Sequence, residues 1–319
     1  MASKGRFEEF KKRMQPTIKE IKFTLRKIRE SPLSLVGLGL VMAFVFIAIL
    51  APVLAPPIDP RHGTPLRDPF LIPGEISASL PPQPPSKEHP FGTTRLGYDI
   101  YYGCIWGTIY AFRLGLLIIP AVLAIGIALG IISGYYGGLI DEIIMRFTDI
   151  ILAFPGLILT MALIVVLTRT GQWTRIDAAI LSIIIVGWPS YTRLIRSEVL
   201  RVKAEDYVEA AKASGASDLR IIARHILPNA IYPVIIIASL DFGSIVLFAA
   251  ALSFLGLGAP PGYADWGQLI ELSRLYIQDL SKYWWTFTFP GLFITLFCLG
   301  WNLLGDAVRD ILDPLYRRK

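Results

Sequence analysis

The residues that could do chemistry in this sequence are ionisable side chains placed within or beside long apolar runs. Asp241 lies in the middle of one run, and Asp141, Arg146 and Asp149 stand at the start of another. An ionisable group inside a membrane is costly unless it is paired or faces water. We therefore expect each of these residues to form an ion pair or a hydrogen bond, or to line a polar pathway. None of them implies a bond-breaking reaction.

Two interpretations stand side by side for each of these groups. Arg146 and Asp149 are spaced i, i+3, which allows them to pair on one helix face. Pairing within the helix or with a neighbouring helix is favoured over substrate binding for this trio. Asp241 either lines a pathway through the membrane or forms a helix-packing hydrogen bond, for which the candidate partners are Ser239, Ser244 or a neighbouring helix.

Catalytic and metal-binding motifs are absent from the sequence. It contains no G-x-x-x-x-G-K-[ST] phosphate loop, no H-E-x-x-H pair and no nucleophile elbow. Cys104 and Cys298 are far apart and lack metal-ligand spacing. His89 also lacks ligand-spaced partners and is expected to be a turn residue before Pro90. The sequence thus predicts a chain that is not an enzyme and holds no metal or cofactor of its own.

Long apolar runs set the fold class. The chain has 319 residues and is 54% hydrophobic, whereas soluble domains have about 45–50%. A helix that spans a bilayer needs about 20 apolar residues. The sequence predicts an all-α integral membrane protein with six transmembrane helices, at residues 33–55, 111–133, 143–168, 178 to about 191, 230–251 and 284 to about 304.

The distribution of basic residues predicts the orientation of these helices. Lys and Arg number ten in residues 1–32, seven in 193–225 and four in 309–319, whereas the loops on the opposite side hold eight in all. Cytoplasmic loops carry the excess of basic residues. Both termini and the 193–225 loop are therefore expected to be cytoplasmic. The net charge of +6 follows this topology and does not indicate a nucleic-acid partner.

The loop between the fourth and fifth spans is polar and helix-prone. Residues 204–213 place four alanines among charged side chains, which is a good helix composition. Gly215 is typical of a helix C-terminus, and Ser217 or Asp218 could cap a second helix. Pro228 is expected to end that second helix. The pattern predicts two short helices at an angle, with small side chains that let another protein approach closely.

This loop resembles the EAA loop of permease subunits of ABC-type importers. The resemblance is carried by Glu209-Ala210-Ala211, Gly215 and Ile226-Leu227-Pro228 in this order. It implies that the loop is the coupling element that docks in a groove of an ATPase subunit. The residues to which it assigns the coupling contact are Tyr207, Glu209, Ala210, Ala211, Gly215, Leu227 and Pro228.

Four further segments resemble the dipeptide/oligopeptide branch of this family, in its C-type permease subunit. Thr94 and Tyr98 depart from the pattern of the first segment. The run at 252–267 is expected to form a re-entrant turn, with a simple external loop as the alternative. The four segments lie at residues 89–99, 137–155, 252–267 and 304–314.

The resemblance implies a function and a set of partners. The chain would be a multi-pass permease subunit in the cell membrane, in contact with lipid, a second homologous permease subunit, two ATPase subunits and an extracellular binding protein. ATP and Mg²⁺ would be bound by the ATPase partners. The substrates would be di- or oligopeptides, with oligosaccharides or nickel complexes as alternatives. An ion-coupled secondary transporter is the more distant alternative.

The sequence also predicts how the chain is divided. A basic segment at 1–32, either an interfacial helix or a disordered arm, precedes the first transmembrane helix at 33–55. A proline-rich outer loop follows at 56–110. The permease core at 111–308 contains the coupling loop at about 199–228, and a cytoplasmic tail occupies 309–319.

Overall fold

The computed structural model describes residues 31–58, 63–73 and 81–312, and this part of the chain is helical. Extended pairing within those ranges is limited to isolated bridges, such as the one between Leu71 and Tyr263. The basic N-terminal segment up to residue 30 and the tail beyond residue 312 lie outside the described residues. The all-α fold class expected from the sequence is confirmed.

The first two long helices are α1 (Pro32–Leu54) and α2 (Ile100–Tyr136). The Asp99 carboxylate caps α2 by accepting a hydrogen bond from the Tyr102 amide at 2.9 Å. With this cap, α2 begins eleven residues before the span predicted at 111–133, inside the segment predicted as a loop at 56–110. The 37 residues of α2 measure about 55 Å, well beyond the roughly 30 Å of a bilayer core.

The third predicted span is two helices, α3 (Gly138–Leu152) and α4 (Gly156–Arg169), which meet at 91°. Pro155 explains the break, because proline has no amide hydrogen to donate and disfavours helical backbone at the residue before it. The sequence predicts one span at 143–168 with a kink at Pro155, whereas the structure has a right-angled turn there.

The next long helix is α5 (Arg175–Lys203), capped by the Thr174 hydroxyl. Two short helices follow, α6 (Asp206–Ala213) and α7 (Asp218–Ile221), and then a π-helical turn at Ile222–Ile226 and α8 (Leu227–Ala230). The chain re-enters the apolar layer as α9 (Tyr232–Phe254).

The remaining helices are α10 (Trp266–Ser273), a 3₁₀ segment at Arg274–Asp279, α11 (Leu280–Tyr283) and α12 (Trp285–Leu312). Among the described residues, five helices are long and apolar enough to cross a membrane, and the bent pair of α3 and α4 raises the number to six.

Helices α2 and α5 approach each other along a stripe of glycines. A Cβ atom built on Gly126, Gly130 or Gly134 would lie 2.6–2.9 Å from side-chain atoms of α5. The α5 residues that fill this space are Tyr191, Ile195 and Val199. Small residues spaced by four let two membrane helices bring their backbones together, so α2 and α5 form one closely packed unit.

The N-terminal end of α2 is enclosed by other segments. We call the segments at 63–73 and 255–273, together with the first three turns of α2, the outer cap, a name that follows the orientation predicted from the basic residues. The backbone of Ile72 donates to Gly262 at 2.8 Å, and that of Ala264 donates to Phe70 at 2.8 Å. The indole of Trp106 donates to the carbonyl of Ala55 at 2.8 Å, which joins α2 to the end of α1.

The turn predicted at 252–267 lies within this cap. Gly256 and Gly262 have φ of +80° and +82°, a left-handed conformation that glycine adopts at no steric cost. The chain leaves α9, reverses direction and enters α10, whose N-terminus is capped by Asp265.

Candidate functional site

The candidate site is the segment between α5 and α9, which consists of α6, α7 and the π-helical turn. We call residues 206–226 the inter-helix loop. It directly continues α5 at one end and runs through α8 into α9 at the other. Any displacement of the loop therefore acts on two long helices at once.

Gly215 ends α6 in the manner expected from the sequence. Its φ is +77°, its amide donates to Lys212 at 2.9 Å, and the amide of Ala216 donates to Ala211 at 3.1 Å. This pair of bonds is the Schellman arrangement, in which a left-handed glycine satisfies the last carbonyls of a helix. The turn fixes the angle between α6 and α7.

Pro228 does not end the second helix, contrary to the expectation from the sequence. The chain stays helical from α7 through the π-helical turn and into α8, where Pro228 occupies one of the first two positions. A proline is tolerated there because the amide hydrogens of a first helical turn have no partner inside the helix. The wider hydrogen-bonding pattern of the π turn carries the chain past the proline.

One face of the loop is anchored and the other is exposed. The side chains of Val208, Ile221 and Ile226 are 0% exposed. Tyr207 is 43% and Leu219 is 77% exposed. The residues that the sequence assigned to coupling fall mainly on the exposed side: Glu209, Ala210, Gly215 and Pro228 are exposed, whereas Ala211 and Leu227 are half-buried.

The anchored side of the loop meets the C-terminal end of α2. The hydroxyl of Tyr135 donates to Asp218 of α7 at 2.6 Å, and Lys203 at the end of α5 donates to the Tyr135 carbonyl at 2.5 Å. Sequence reasoning missed Tyr135, because its partners are 68 and 83 residues away. The available signal was a pair of tyrosines in the glycine-rich stretch at 134–138.

The charge trio at 141–149 pairs mainly with α5 and not within itself. Arg196 donates two hydrogen bonds to Asp141, both at 2.6 Å, and Arg193 donates to Asp149 at 2.6 Å. Arg146 lies 3.6 Å from Glu142 on its own helix. Of the two kinds of pairing that the sequence left open for this trio, Asp149 forms the one with a neighbouring helix, and Arg146 contacts a residue of its own helix.

Asp241 contacts a neighbouring helix as well. The hydroxyl of Tyr191 on α5 donates to Asp241 on α9 at 2.6 Å. Ser239 donates instead to the carbonyl of Ile236 at 2.7 Å. A tyrosine hydroxyl on a carboxylate is a charge-assisted hydrogen bond, so this pair joins α5 to α9 within the apolar layer.

A fully buried carboxylate lies outside the membrane-spanning helices, in the outer cap. Asp265 is 3% exposed. It accepts hydrogen bonds from the Gln268 amide and from the Ser253 hydroxyl, each at 3.0 Å. Burial raises the pKa of Asp265 to about 6, although these hydrogen bonds act in the opposite direction.

The elements described so far define a polytopic α-helical membrane protein with a structured loop between two of its spanning helices. A methionine ABC transporter, solved in inward-facing conformations, has a similar fold, with a TM-score of 0.54 and 19% identity. The match covers 66% of this chain and 96% of the matched chain.

Sequence comparison identifies the family. Residues 126–318 match the model of the binding-protein-dependent transport system inner membrane component, and residues 22–73 match that of the N-terminal transmembrane domain of oligopeptide transport permease C. The chain belongs to the family of binding-protein-dependent transport system inner membrane components. It is a multi-pass protein of the cell membrane.

Two curated relatives match most of the chain. The dipeptide transport system permease protein of Alkalihalophilus pseudofirmus is 39% identical, over 91% of this chain and 88% of that protein. The oligopeptide transport system permease protein of Bacillus subtilis is 34% identical, over 93% of this chain and 90% of that protein.

Proposed function

We propose that this chain is one of two permease subunits that together form the pathway of an ATP-driven importer of di- or oligopeptides. The peptide substrate is supported by the names of the relatives, which match nearly the whole chain. The remaining parts of the assembly would be two ATPase subunits in the cytoplasm and an extracellular binding protein that delivers the substrate.

The observation that carries this proposal is the two-sided inter-helix loop. Its buried residues hold it against the membrane helices, while Tyr207, Glu209 and Ala210 face outward. An exposed tyrosine beside small side chains suits a protein interface, because aromatic anchors contribute much of the binding energy at such contacts. We assign this outward face to the ATPase subunit.

The side of the membrane also supports this assignment. The loop and the end of α5 carry basic residues that include Arg193, Arg196 and Arg201. By the positive-inside rule, this charge supports a cytoplasmic location for this end and for both termini, on the side where ATP is available. The outer cap then faces the extracellular binding protein.

The chain itself is proposed to be non-catalytic. Its sequence has no phosphate loop, so ATP and Mg²⁺ would be bound by the ATPase subunits. A partner can shift a membrane gate between two states only if it binds the two states with different affinity. In this proposal, the ATPase subunit binds the outward face of the loop with different affinity in the two states of the gate.

The intramembrane charges are assigned to helix pairing. Asp241 is bound to Tyr191, Asp141 to Arg196 and Asp149 to Arg193. Paired groups of this kind hold helices together, and a substrate would have to displace an existing partner to reach them. We therefore expect selectivity to come mainly from the binding protein.

The proposal is tested by uptake of a radiolabelled tripeptide into sealed right-side-out vesicles that contain the chain with its co-expressed partner subunits. Uptake should require ATP inside the vesicles and should persist in the presence of a protonophore. Collapse of uptake with the proton gradient, at constant internal ATP, would instead favour a secondary transporter.

A charge reversal on the loop tests the coupling contact. Glu209→Lys should abolish uptake and co-purification of the ATPase, while the protein still inserts in the membrane. Glu142→Lys makes the same reversal at an exposed residue of α3 and should leave both intact. Normal uptake by Glu209→Lys would show that Glu209 is not part of the coupling contact.

A further inference from the structure

Three groups of the loop region converge on one residue of α2. Tyr135 lies in the last turn of α2 and is 5% exposed. Its hydroxyl donates to Asp218 of α7 at 2.6 Å. The ammonium of Lys203 donates to its carbonyl at 2.5 Å and lies 5.5 Å from its ring centroid. Lys212 of α6 lies 5.6 Å from the same centroid.

These contacts come from three different elements. Lys203 is at the end of α5, Lys212 is on α6, and Asp218 begins α7. The two lysines are held by the ring face and the backbone of Tyr135, and the aspartate is held by its hydroxyl. Tyr135 therefore contacts both short helices of the loop and the helix from which the loop emerges.

The adjacent tyrosine provides a natural comparison. Tyr136 is 52% exposed, and its ring stands edge-on to that of Tyr135, with centroids 5.2 Å apart. Its hydroxyl forms no hydrogen bond with the described part of the chain. The two residues have the same chemistry and adjoining positions, but only Tyr135 is bonded to the loop.

The helix that carries Tyr135 extends from the loop to the outer cap. Gly134, the preceding residue, packs against Val199 of α5, so the inner end of α2 cannot move away from α5 easily. The outer end of the same helix is enclosed by the cap, where the Tyr102 hydroxyl donates to Pro69 at 2.8 Å. A rotation or shift imposed on Tyr135 thus acts on a single helix that reaches the other side of the membrane.

We propose that Tyr135 is a positioning residue for transport, through which movement of α6 and α7 is transmitted to α2. The hydrogen bond between Tyr135 and Asp218 is the specific link, and Lys203 and Lys212 keep the ring in place. This inference rests on the proposed function, because it assumes that the ATPase subunits move the loop. It adds a route by which that movement reaches the outer half of the molecule.

The test separates transmission from folding. Tyr135→Phe keeps the ring, and with it the lysine contacts, and removes only the hydroxyl. Uptake of a labelled tripeptide and hydrolysis of ATP are measured in the same vesicles, and thermal unfolding is measured in detergent. Losing one charge-assisted hydrogen bond should slow uptake about tenfold, while ATP hydrolysis stays close to that of the wild type. Because Asp218 is exposed, water can replace the lost donor, so the unfolding temperature should also stay close to that of the wild type.

Three variants complete the experiment. Asp218→Ala, which removes the acceptor, should reproduce the uncoupling, and the double variant Tyr135→Phe/Asp218→Ala should be no worse than either single variant, because both remove the same bond. Tyr136→Phe is the matched control and should transport normally. Additive losses in the double variant would overturn the link between the two residues.

Other outcomes also decide the matter. Wild-type uptake by Tyr135→Phe would overturn the inference and leave the proposed function standing. A parallel fall in uptake, ATP hydrolysis and unfolding temperature would show a purely structural role and would overturn it as well. Absence of ATP-dependent uptake in the wild-type vesicles would instead remove the proposed function itself.

Discussion

Asp141 of α3 and Arg196 of α5 form a bidentate ion pair, with both nitrogen–oxygen distances at 2.6 Å. The side chains are 19% and 30% exposed, and the Ser133 hydroxyl of α2 donates to the same carboxylate. Three helices thus meet at one carboxylate. The arrangement fixes α3 against the packed pair of α2 and α5, next to the inter-helix loop.

The first prediction concerns this pair. Arg196→Lys should lower the free energy of unfolding by about 1–3 kcal/mol, because a lysine cannot donate two hydrogen bonds in a fixed fork. Thermal unfolding in detergent measures the effect. Glu142→Gln is the control, since it removes an exposed contact of 3.6 Å that should contribute less than about 1 kcal/mol. Equal shifts in the unfolding temperature for both variants would show that the bidentate geometry adds no stability of its own.

The second prediction concerns the contact between α2 and α5. A methyl group at Gly130 would lie 2.6 Å from Ile195 Cγ2 and 2.8 Å from the carbonyl oxygen of Thr192. Gly130→Ala should therefore destabilise the protein by about 1–3 kcal/mol and reduce its amount in the membrane. Gly39→Ala in α1, where the methyl group would meet nothing within 4 Å, should be neutral or stabilising. Both are measured by immunoblot and thermal unfolding.

The third prediction concerns pH. Burial raises the pKa of Asp265 to about 6, whereas an unfolded aspartate has a pKa of about 3.9. The folded state therefore holds the proton more tightly, and this contribution to stability is complete below about pH 4 and is lost as the pH rises through about 6.

The unfolding temperature in detergent, measured between about pH 4 and 7, should fall with rising pH over this window. Asp265→Asn, which does not titrate, should flatten that slope. An unchanged slope in Asp265→Asn would show that another group is responsible.

The fourth prediction concerns the bond between Tyr191 and Asp241. Tyr191→Phe would leave a carboxylate without its donor in the apolar layer and should cost about 1–3 kcal/mol. Adding Asp241→Asn to that variant should recover part of the loss, because a neutral amide is less costly there than a charge. A double-mutant cycle on the unfolding temperature measures the coupling, and strict additivity would contradict a direct bond.

Local patterns were sufficient to predict much of the fold. Apolar runs marked the spanning helices, and Gly215 marked the end of α6, because both depend on residues within one or two turns. Pro155 was expected only to kink the third span, because the 91° angle between α3 and α4 depends on how each half packs against α5. Pro228 was misjudged because a π-helical turn, which has no simple sequence signal, precedes it.

Long-range partners could not be predicted in the same way. The carboxylates at 141, 149 and 241 were correctly singled out as groups that need a partner. Their partners Arg196, Arg193 and Tyr191 lie 44–55 residues away in the sequence. Only the crossing of α5 with α3 and α9 brings these residues together, and that crossing is fixed by packing.

The glycine stripe of α2 has a consequence for where a solute can travel. Where Gly126, Gly130 and Gly134 touch α5, the two helix backbones are too close for a lipid tail or a file of water molecules to pass between them. The seam is closed at these three positions, so any hydrated channel must run along other faces of these helices.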